Sequence, residues 1–380
     1  MASTELTIVL PLKGRDDFSI RWFSYAASHA LPYKVLVADG GHDEGFENRL
    51  RRAGIFDKID CDYVRYPFDS SLEMFFRKMA DALRRVETPY AVIANNDDFI
   101  FFDALETSIT FLNGNPDFAC SRGEIWDFAV ASEGTPSPIY GRMTGVCKLY
   151  FHPTVVGENA LERIADLAIK FNGATHDIVR TPVLADTFAK IVDAGLYDMR
   201  FAERLSTFLV AAAGKMHRDD HLHMLHQSHP DMSAVTHFQR PSKWVTDPDW
   251  DRNFNIFAGS LASAIAETDG MEFHQAKNEV FRIATRYFLD WIANDVMSGD
   301  PEPRPPVREA FLESAKWLVR RAGLEKLARG IHSGVKGRAD AKPLPPSHAR
   351  KFAEIKQFLK TPPCGYRESL RHGKSSHRDL

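Results

Sequence analysis

The sequence is poor in cysteine and lacks a long apolar run. Four of its 380 residues are cysteines, and their wide spacing matches neither a disulfide framework nor a metal site: Cys61, Cys120, Cys147 and Cys364. Such usage is typical of the reducing cytosol, so we expect a cytoplasmic protein. No segment approaches the roughly 18 consecutive apolar residues of a membrane-spanning helix. The short apolar run at 6–10, which ends before Pro11, indicates a buried strand rather than a secretory signal.

The chain also has little net charge, but that charge is unevenly distributed. The formal net charge at pH 7 is -3. Residues 301–380 contain 18 Lys and Arg against 8 Asp and Glu, so the remainder of the chain is acidic. Because this acidic body contains no recognisable nucleic-acid module, we expect no nucleic-acid partner.

The first 130 residues alternate strand and helix patterns. The predicted strands are apolar or β-branched runs at 6–12, 33–39, 58–66 and 89–95. The predicted helices carry apolar residues at helical spacing over 19–30, 45–54, 71–86 and about 103–112. This alternation predicts βαβ units, and hence an α/β fold in which helices flank a mainly parallel sheet.

From residue 161 onward the pattern is largely helical. Helices are predicted over 161–171, 183–195 and 201–215, and an α-helical C-terminal extension over 241–300. A Pro-rich linker at 298–306 and a basic amphipathic helix at 308–331 follow, and the Gly-, Pro- and Lys-rich sequence from 333 predicts a weakly ordered tail. The basic helix is compatible with packing on protein or with peripheral contact on an anionic membrane.

Polar clusters follow three of the predicted strands. They are Lys13-Gly14-Arg15, the segment 39–43 that begins with Asp39, and the segment 95–98. Ligands of open α/β sheets bind beyond the carboxyl ends of strands, so we expect the clusters to share one crevice. In the last cluster Asp97 and Asp98 follow a buried strand, where an uncompensated charge is costly. They indicate either a turn before the next helix or a divalent-cation site.

Four segments together resemble the family 2 glycosyltransferases of the GT-A fold. These are LTIVLPLKGR, VLVADGG, FRKMADALRRVETPYAVIANNDDFIFFDALE and, further on, YDMRFAERLSTFLVAAAGK, and the likeness covers roughly residues 5–235. It implies a Rossmann-like GT-A domain over 1–240, with a nucleotide-binding half to about residue 130 and an acceptor half at 131–240. The helical extension and the 301–380 tail lie outside the likeness.

The resemblance implies a metal-assisted site. The family's Asp-x-Asp motif corresponds to Asn95-Asn96-Asp97, with Asp98 next to it, so an amide replaces the first acid. Mn²⁺ or Mg²⁺ bound there would neutralise the diphosphate leaving group. A late histidine often completes such sites, which makes His226 and His229 candidate ligands among six histidines in 216–237.

The resemblance also implies residues that contact the nucleotide. Asp39 corresponds to the acid that hydrogen-bonds the base or ribose. The other residues implied in donor binding are Pro11, Lys13, Arg15, Arg77, Lys78, Asn95 and Asn96. For Asp39 the alternative is an ordinary Asp-Gly turn, and for Lys13 and Arg15 it is a pair of solvated loop charges.

Glu203 corresponds to the family's catalytic acid, eleven residues before Gly214. An inverting transfer needs a base that accepts the proton of the attacking hydroxyl. The alternative is a surface ion pair with Arg200 or Arg204, and Asp219 and Asp220 are alternative acids.

These features predict a transferase that moves a sugar from a nucleotide-sugar donor, a UDP-sugar by resemblance, to a saccharide or lipid-linked saccharide. Surface-polysaccharide synthesis is the context that the family suggests. The alternatives are a sugar-phosphate nucleotidyltransferase, for which LPLKGR is a poor phosphate loop, and a non-catalytic relative that binds a saccharide or serves as a scaffold for a complex. The oligomeric state stays open.

Overall fold

A computed structural model describes residues 3–131, 139–149, 153–171, 173–232, 241–298 and 345–361. Its first half alternates strands and helices as the sequence predicts. The strands are β1 (Ser3–Leu12), β2 (Tyr33–Asp39), β3 (Cys61–Arg65), β4 (Tyr90–Ile93) and β5 (Phe99–Ile100). The helices are α1 (Asp16–Ser28), α2 (Phe46–Arg52), α3 (Leu72–Arg84) and α4 (Phe102–Gly114). The α/β prediction is therefore confirmed.

The second half adds strands to the same sheet. Its strands are β6 (Phe118–Ala131), β7 (Arg142–Lys148), β8 (Ile178–Arg180) and β9 (Lys215–Gln227). Its helices are α5 (Ala160–Ile169), α6 (Thr181–Asp193), α7 (Met199–Ala213), α8 (Pro241–Trp244), α9 (Trp250–Asp269) and α10 (Phe273–Ser298). The expectation of a largely helical pattern beyond residue 161 missed β8 and β9. Four of the six histidines of 216–237 lie in β9: His217, His221, His223 and His226.

Within the described residues the sheet has nine strands, in the order β3-β2-β1-β4-β8-β6-β9-β5, with β7 paired to β6. The pairs among β3, β2, β1 and β4 are parallel, and β6 also runs parallel to β9. The pairs of β8 with β4 and β6, and those of β5–β9 and β6–β7, are antiparallel. The strands β1 to β4 are thus parallel to one another, and the rest of the sheet is mixed.

Both faces of the parallel half are covered, which explains the continuous apolar runs of its strands. All four residues of β4 are buried, and β1 is buried from Leu6 to Leu10. Helix α3 begins where the Ser71 hydroxyl accepts a hydrogen bond from the Met74 amide at 3.3 Å. It places its apolar side against α6 and the sheet, where Met79 and Leu83 are fully buried.

The helical extension packs on α7 through aromatic rings. Phe201 of α7 lies 4.4 Å from Trp244 and 5.6 Å from Phe288 between ring centroids. Phe257 of α9 completes the contact at 5.8 Å. The extension therefore shares a core with α5, α6 and α7.

One sequence-based expectation fails near the C-terminus. Residues Pro346–Lys360 form helix α11, although the tail from 333 was expected to be weakly ordered. Phe352, Ile355 and Leu359 are buried against the outer side of the sheet, next to Trp126. The basic helix predicted at 308–331 lies outside the described residues. Among the residues that are described, no helix is long and apolar enough to cross a membrane.

Candidate functional site

The three predicted polar clusters meet at one end of the parallel strands. The Asn96 side-chain amide donates to the carbonyl of Gly14 at 3.4 Å and to the hydroxyl of Ser19 at 2.8 Å. Arg15 Nη1 donates to Asp97 Oδ2 at 2.5 Å. Gly41 lies so close to the loop after β1 that a Cβ there would stand 3.2 Å from the Gly14 amide nitrogen. The three clusters therefore lie side by side at this end of the sheet, as the sequence predicts; that they line one ligand crevice stays a prediction.

An unusual backbone turn directs Arg15 into this crevice. Gly14 has φ +113°, and Arg15 has φ 58° and ψ 48° as the residue that precedes α1. An L-residue in the left-handed region costs about 1–2 kcal/mol, so other contacts must stabilise the turn. The ion pair with Asp97 is one of them. The neighbouring Lys13 is exposed, and its ammonium lies 5.7 Å from the centre of the Phe68 ring.

Asp97 and His229 form the buried centre of the site. His229 Nε2 donates to Asp97 Oδ2 at 2.9 Å, and the two side chains are 2% and 8% exposed respectively. Burial acts to raise the pKa of Asp97, but the His229 hydrogen bond and the Arg15 charge outweigh it and hold that pKa well below its usual range. Asp97 is therefore an anion in the folded protein and attracts cations.

Asp98 points the other way, into the protein. Its Oδ1 accepts the Gln227 amide at 3.0 Å, and its Oδ2 accepts the Asn95 side-chain amide at 3.2 Å. Burial raises the pKa of Asp98 to about 6. Of the two predicted acidic ligands, only Asp97 faces the crevice. Both carboxylate oxygens of Asp98 are occupied by hydrogen bonds within the protein, one of them from the side-chain amide of Asn95.

His226 lies behind this pair, at the end of β9. The negative charge of Asp98 raises the pKa of His226 to about 9, against the opposing effect of burial. Its Nδ1 donates to Asp127 Oδ1 at 3.0 Å. Asp127 also accepts the Ser228 hydroxyl. Of the two candidate histidine ligands, His229 contacts Asp97, while His226 is engaged by Asp127.

The atoms that could hold a divalent cation are few but suitably placed. Two adjacent ligands about 2.1 Å from an octahedral ion lie about 3 Å apart, which is close to the 2.9 Å between Asp97 Oδ2 and His229 Nε2. An ion would replace the proton that Nε2 shares with Asp97 in this hydrogen bond. Asp97 Oδ1 and His229 Nδ1 are buried without a hydrogen-bond partner among the described residues. Those residues contain no group of three or more His, Cys, Asp or Glu side chains placed for one metal. The donor set fits an ion that takes its remaining ligands from water and phosphate.

Asp39 at the end of β2 is engaged within the protein. It accepts the Gly41 amide at 2.8 Å, the Tyr63 hydroxyl at 2.5 Å and the guanidinium of Arg65, and it is 3% exposed. Its carboxylate therefore holds Arg65 at the mouth of the crevice. Sequence reasoning missed Arg65, which follows Asp39 by 26 residues and adjoins it only through the β2–β3 pairing.

Two aromatic rings lie beside Arg65. His42 and Phe68 stack with centroids 3.4 Å apart and an interplanar angle of 22°. Both come from loops that follow parallel strands, and His42 is exposed. A π-face at this position is suited to a nucleobase. His42 belongs to the ADGGHDE segment that the sequence analysis had singled out. The position of Phe68 beside it became visible only in the folded structure.

Arg77 and Lys78, both expected to point at a nucleotide, make contacts within the protein. Arg77 is exposed and pairs with Glu73 one helical turn earlier, at 2.9 Å. Lys78 is buried and pairs with Asp69, and its ammonium also donates to the Leu12 carbonyl at 3.0 Å. Lys78 thus supports the loops of the crevice from below.

Glu203 lies on α7, one-third exposed, with Arg204 Nη1 at 3.7 Å. Burial raises its pKa above the usual value, although the charges of Arg204 and Arg200 act against this shift. A Cβ on Gly173 would stand 3.7 Å from the carboxylate. Three residues further on, His176 Nδ1 donates to the Ile93 carbonyl at the end of β4, at 3.2 Å.

The segment from Gly173 to His176 therefore links Glu203 to the crevice. Three residues of extended chain span at most about 11 Å. This short segment is the described connection between the Glu203 carboxylate and the end of β4. Both expected properties of a base, partial burial and a raised pKa, are present. Asp219 and Asp220 lie eight and seven residues before the end of β9, about 22–27 Å along the strand from Gln227, whose amide contacts Asp98.

The other histidines of the run have structural surroundings. His217 stacks on Phe111 with centroids 3.5 Å apart, and His223 Nε2 donates to the His176 carbonyl at 2.9 Å. His221 lies beside Asp219, at 3.2 Å. His237 lies outside the described residues. Sequence reasoning also missed Asp177, which is fully buried between Arg122 and Arg218 and fixes the start of β8.

Comparison with solved structures gives a similar chain trace in TarS from S. aureus. TarS 1-349 matches with a TM-score of 0.45 at 14% identity, over 75% of this chain and 72% of that chain. The structure of TarS 1-349 in complex with UDP-GlcNAc matches with a TM-score of 0.44 at 13% identity, over 78% of this chain and 76% of that chain. The structure in complex with UDP matches with a TM-score of 0.45 at 14% identity, over 99% of this chain and 94% of that chain. No protein-family model matches the chain, and no curated protein matches its sequence. At this level of similarity, function has to be inferred from the site itself.

Proposed function

We propose that the protein is a glycosyltransferase of the GT-A type, which transfers a sugar from a nucleotide-sugar donor to an acceptor hydroxyl. The observation that carries the proposal is Asp97. It is an anionic carboxylate beyond the carboxyl end of β4 in the parallel part of the sheet, in contact with both Arg15 and His229. A cation at this position would face the diphosphate of a donor that lies across the crevice.

The nucleoside half of the donor would lie between β2 and β3. The His42–Phe68 stack offers a ring face for the base, and Arg65 and Lys13 offer donors to its carbonyl oxygens or to phosphate. Uracil presents two carbonyl oxygens, so a UDP-sugar suits this set. In this arrangement Asp39 positions Arg65 and the Gly40-Gly41 turn.

Asp97 and His229 would hold Mn²⁺ or Mg²⁺. Such an ion supplies positive charge to the phosphate oxygens of the leaving group as the glycosidic bond breaks. The chain's own part is to keep Asp97 ionised and the imidazole of His229 fixed. The stacking of His229 on Phe18, with centroids 4.5 Å apart, restrains that ring.

Glu203 would act as the base in a single displacement. Its carboxylate accepts the proton of the acceptor hydroxyl, whose oxygen attacks the anomeric carbon as the nucleoside diphosphate leaves. The configuration at that carbon is then inverted. The raised pKa of Glu203 brings its basicity closer to that needed near neutral pH. The acceptor would be a saccharide or a lipid-linked saccharide; contact of 308–331 with a membrane stays a prediction.

Calorimetric titration of UDP, with and without Mn²⁺, tests donor binding. We expect binding that Mn²⁺ strengthens, and loss of that metal effect in Asp97→Asn. Binding of UDP with no transfer or hydrolysis of any UDP-sugar would favour a non-catalytic relative, and coupling of a sugar phosphate to UTP would favour a nucleotidyltransferase. No binding of UDP in either condition would refute the proposal.

A second experiment tests the base. Glu203→Gln should reduce transfer by about 10²–10⁴-fold, the usual contribution of general base catalysis, while UDP affinity stays unchanged. The matched control is Glu47→Gln, which alters a carboxylate on α2 that is also about one-third exposed and pairs with Arg51. Full transfer by Glu203→Gln would assign the base to another residue.

A further inference from the structure

The Arg15 guanidinium lies where the proposed function needs a divalent cation. Its Nη1 lies 2.5 Å from Asp97 Oδ2 and 3.5 Å from His229 Nε2. These are the two side chains whose spacing fits a metal ion. We propose that Arg15 is a competing cation: it neutralises Asp97 before the donor binds and must leave that carboxylate before a metal ion can bind.

The competition follows from geometry and charge. The oxygen that contacts Arg15 is the same Oδ2 that accepts from His229. A guanidinium and a divalent ion on one carboxylate oxygen would repel each other strongly in a site where Asp97 is 8% exposed. The available negative charge is also small, because Asn95 stands where the resembling family has an acid and Asp98 is bonded inward. Asp97 is thus matched to one cation at a time.

The surroundings of Arg15 allow it to move while the binding atoms stay fixed. The Arg15 side chain is 32% exposed, whereas His229 is 2% exposed and stacked on Phe18. The left-handed backbone of Arg15 places its guanidinium 5.9 Å from the centre of the same Phe18 ring. A diphosphate in the crevice offers this guanidinium two oxygens in the planar geometry that it prefers.

Donor and metal should therefore bind cooperatively, an inference that rests on the proposed function. The diphosphate draws Arg15 from Asp97, and the ion then occupies the freed oxygen. Without a nucleotide the wild-type protein should bind metal weakly. By reciprocity the metal must strengthen nucleotide binding by the same factor, and coupling of about 5–150-fold is usual between linked sites.

The test measures Mn²⁺ binding by electron paramagnetic resonance of the free ion, with and without UDP. The proteins are the wild type, Arg15→Gln and the control Arg84→Gln, which changes an exposed arginine on α3. We expect Arg15→Gln to bind Mn²⁺ without UDP at least about 5-fold more tightly than the wild type, and to lose most of the coupling with UDP. The control should match the wild type. Circular dichroism verifies folding of each variant.

Equal Mn²⁺ affinities of wild type and Arg15→Gln without UDP would overturn the inference, as would wild-type protein that binds UDP but no Mn²⁺ in any condition. The latter result would leave the proposed function in place, with Arg15 as the only cation. Tighter Mn²⁺ binding by Arg15→Gln in a protein that binds no UDP would support the competition and refute the proposed function. The two failures are therefore distinguishable.

Discussion

The buried pair of Lys78 and Asp69 permits a quantitative prediction. The side chains of Lys78 and Asp69 are 2% and 1% exposed, and no other cation pairs with Asp69 among the described ion pairs. Lys78→Met keeps the length and the apolar stem of the side chain but removes its charge. The carboxylate of Asp69 would then be buried without its partner.

The expected cost is large. Removal of one member of a buried ion pair destabilises a protein by about 3–5 kcal/mol. At about 2–4 °C per kcal/mol for a chain of a few hundred residues, the melting temperature should fall by about 6–20 °C. The loss depends on pH. Burial already raises the pKa of Asp69, and Lys78 opposes that effect. Without Lys78 the pKa of Asp69 rises further. The stability of Lys78→Met therefore falls as the pH rises through this pKa, and its difference from the wild type is smaller at acidic pH.

Urea unfolding followed by circular dichroism, at neutral and at acidic pH, measures these effects. The double variant Lys78→Met with Asp69→Asn should regain at least half of the lost free energy, because neither charge remains buried. The control Arg77→Met alters the adjacent, exposed position and should cause no measurable change. A loss below about 1 kcal/mol, or one that the double variant does not relieve, would refute the assignment of Lys78 as a buried structural cation.

Three further predictions concern packing and pH. Phe352→Ala should lower the free energy of unfolding by about 3–5 kcal/mol in urea titration, because this ring is 1% exposed; a change under about 1 kcal/mol would mean that α11 does not pack there. Gly123→Ala should lower the melting temperature, because a Cβ would collide with the His221 carbonyl of the paired strand. Its control, Gly259→Ala, places a Cβ in open space on α9 and should stabilise the protein by about 0.5–1 kcal/mol. Equal effects of the two substitutions would contradict the close approach of β6 and β9. The pKa of His226 is raised from 6.5 to about 9, so its stabilising interaction is complete near pH 6.5, where Asp98 is still largely ionised, and is lost as pH rises through about 9. The stability difference between wild type and His226→Gln should shrink over that interval, and a constant difference would contradict it.

Local patterns in the sequence predicted the parallel half of the fold. The apolar runs of β1, β2 and β4 and the helical spacing of α3 are properties of a few consecutive residues. They also located the three polar clusters, since a polar residue after a strand lies at its carboxyl end whatever the rest of the chain does. The signal for α11 was present as well: Phe352, Ile355 and Leu359 recur at helical spacing, but the Lys- and Pro-rich composition around them favoured a disordered tail.

The sequence by itself determined which residues are charged, which segments form strands and helices, and that Asp97 lies at the end of a strand. Only the tertiary structure decided which charged side chains contact one another. Arg15 and Asp97 are 82 residues apart, and Asp97 and His229 are 132 apart. Whether an acid faces a crevice, as Asp97 does, or bonds inward, as Asp98 does, depends on strands that pair across such separations. Side-chain electrostatics depends on distance in space and on exclusion of water, and neither quantity is encoded in the local pattern of the chain.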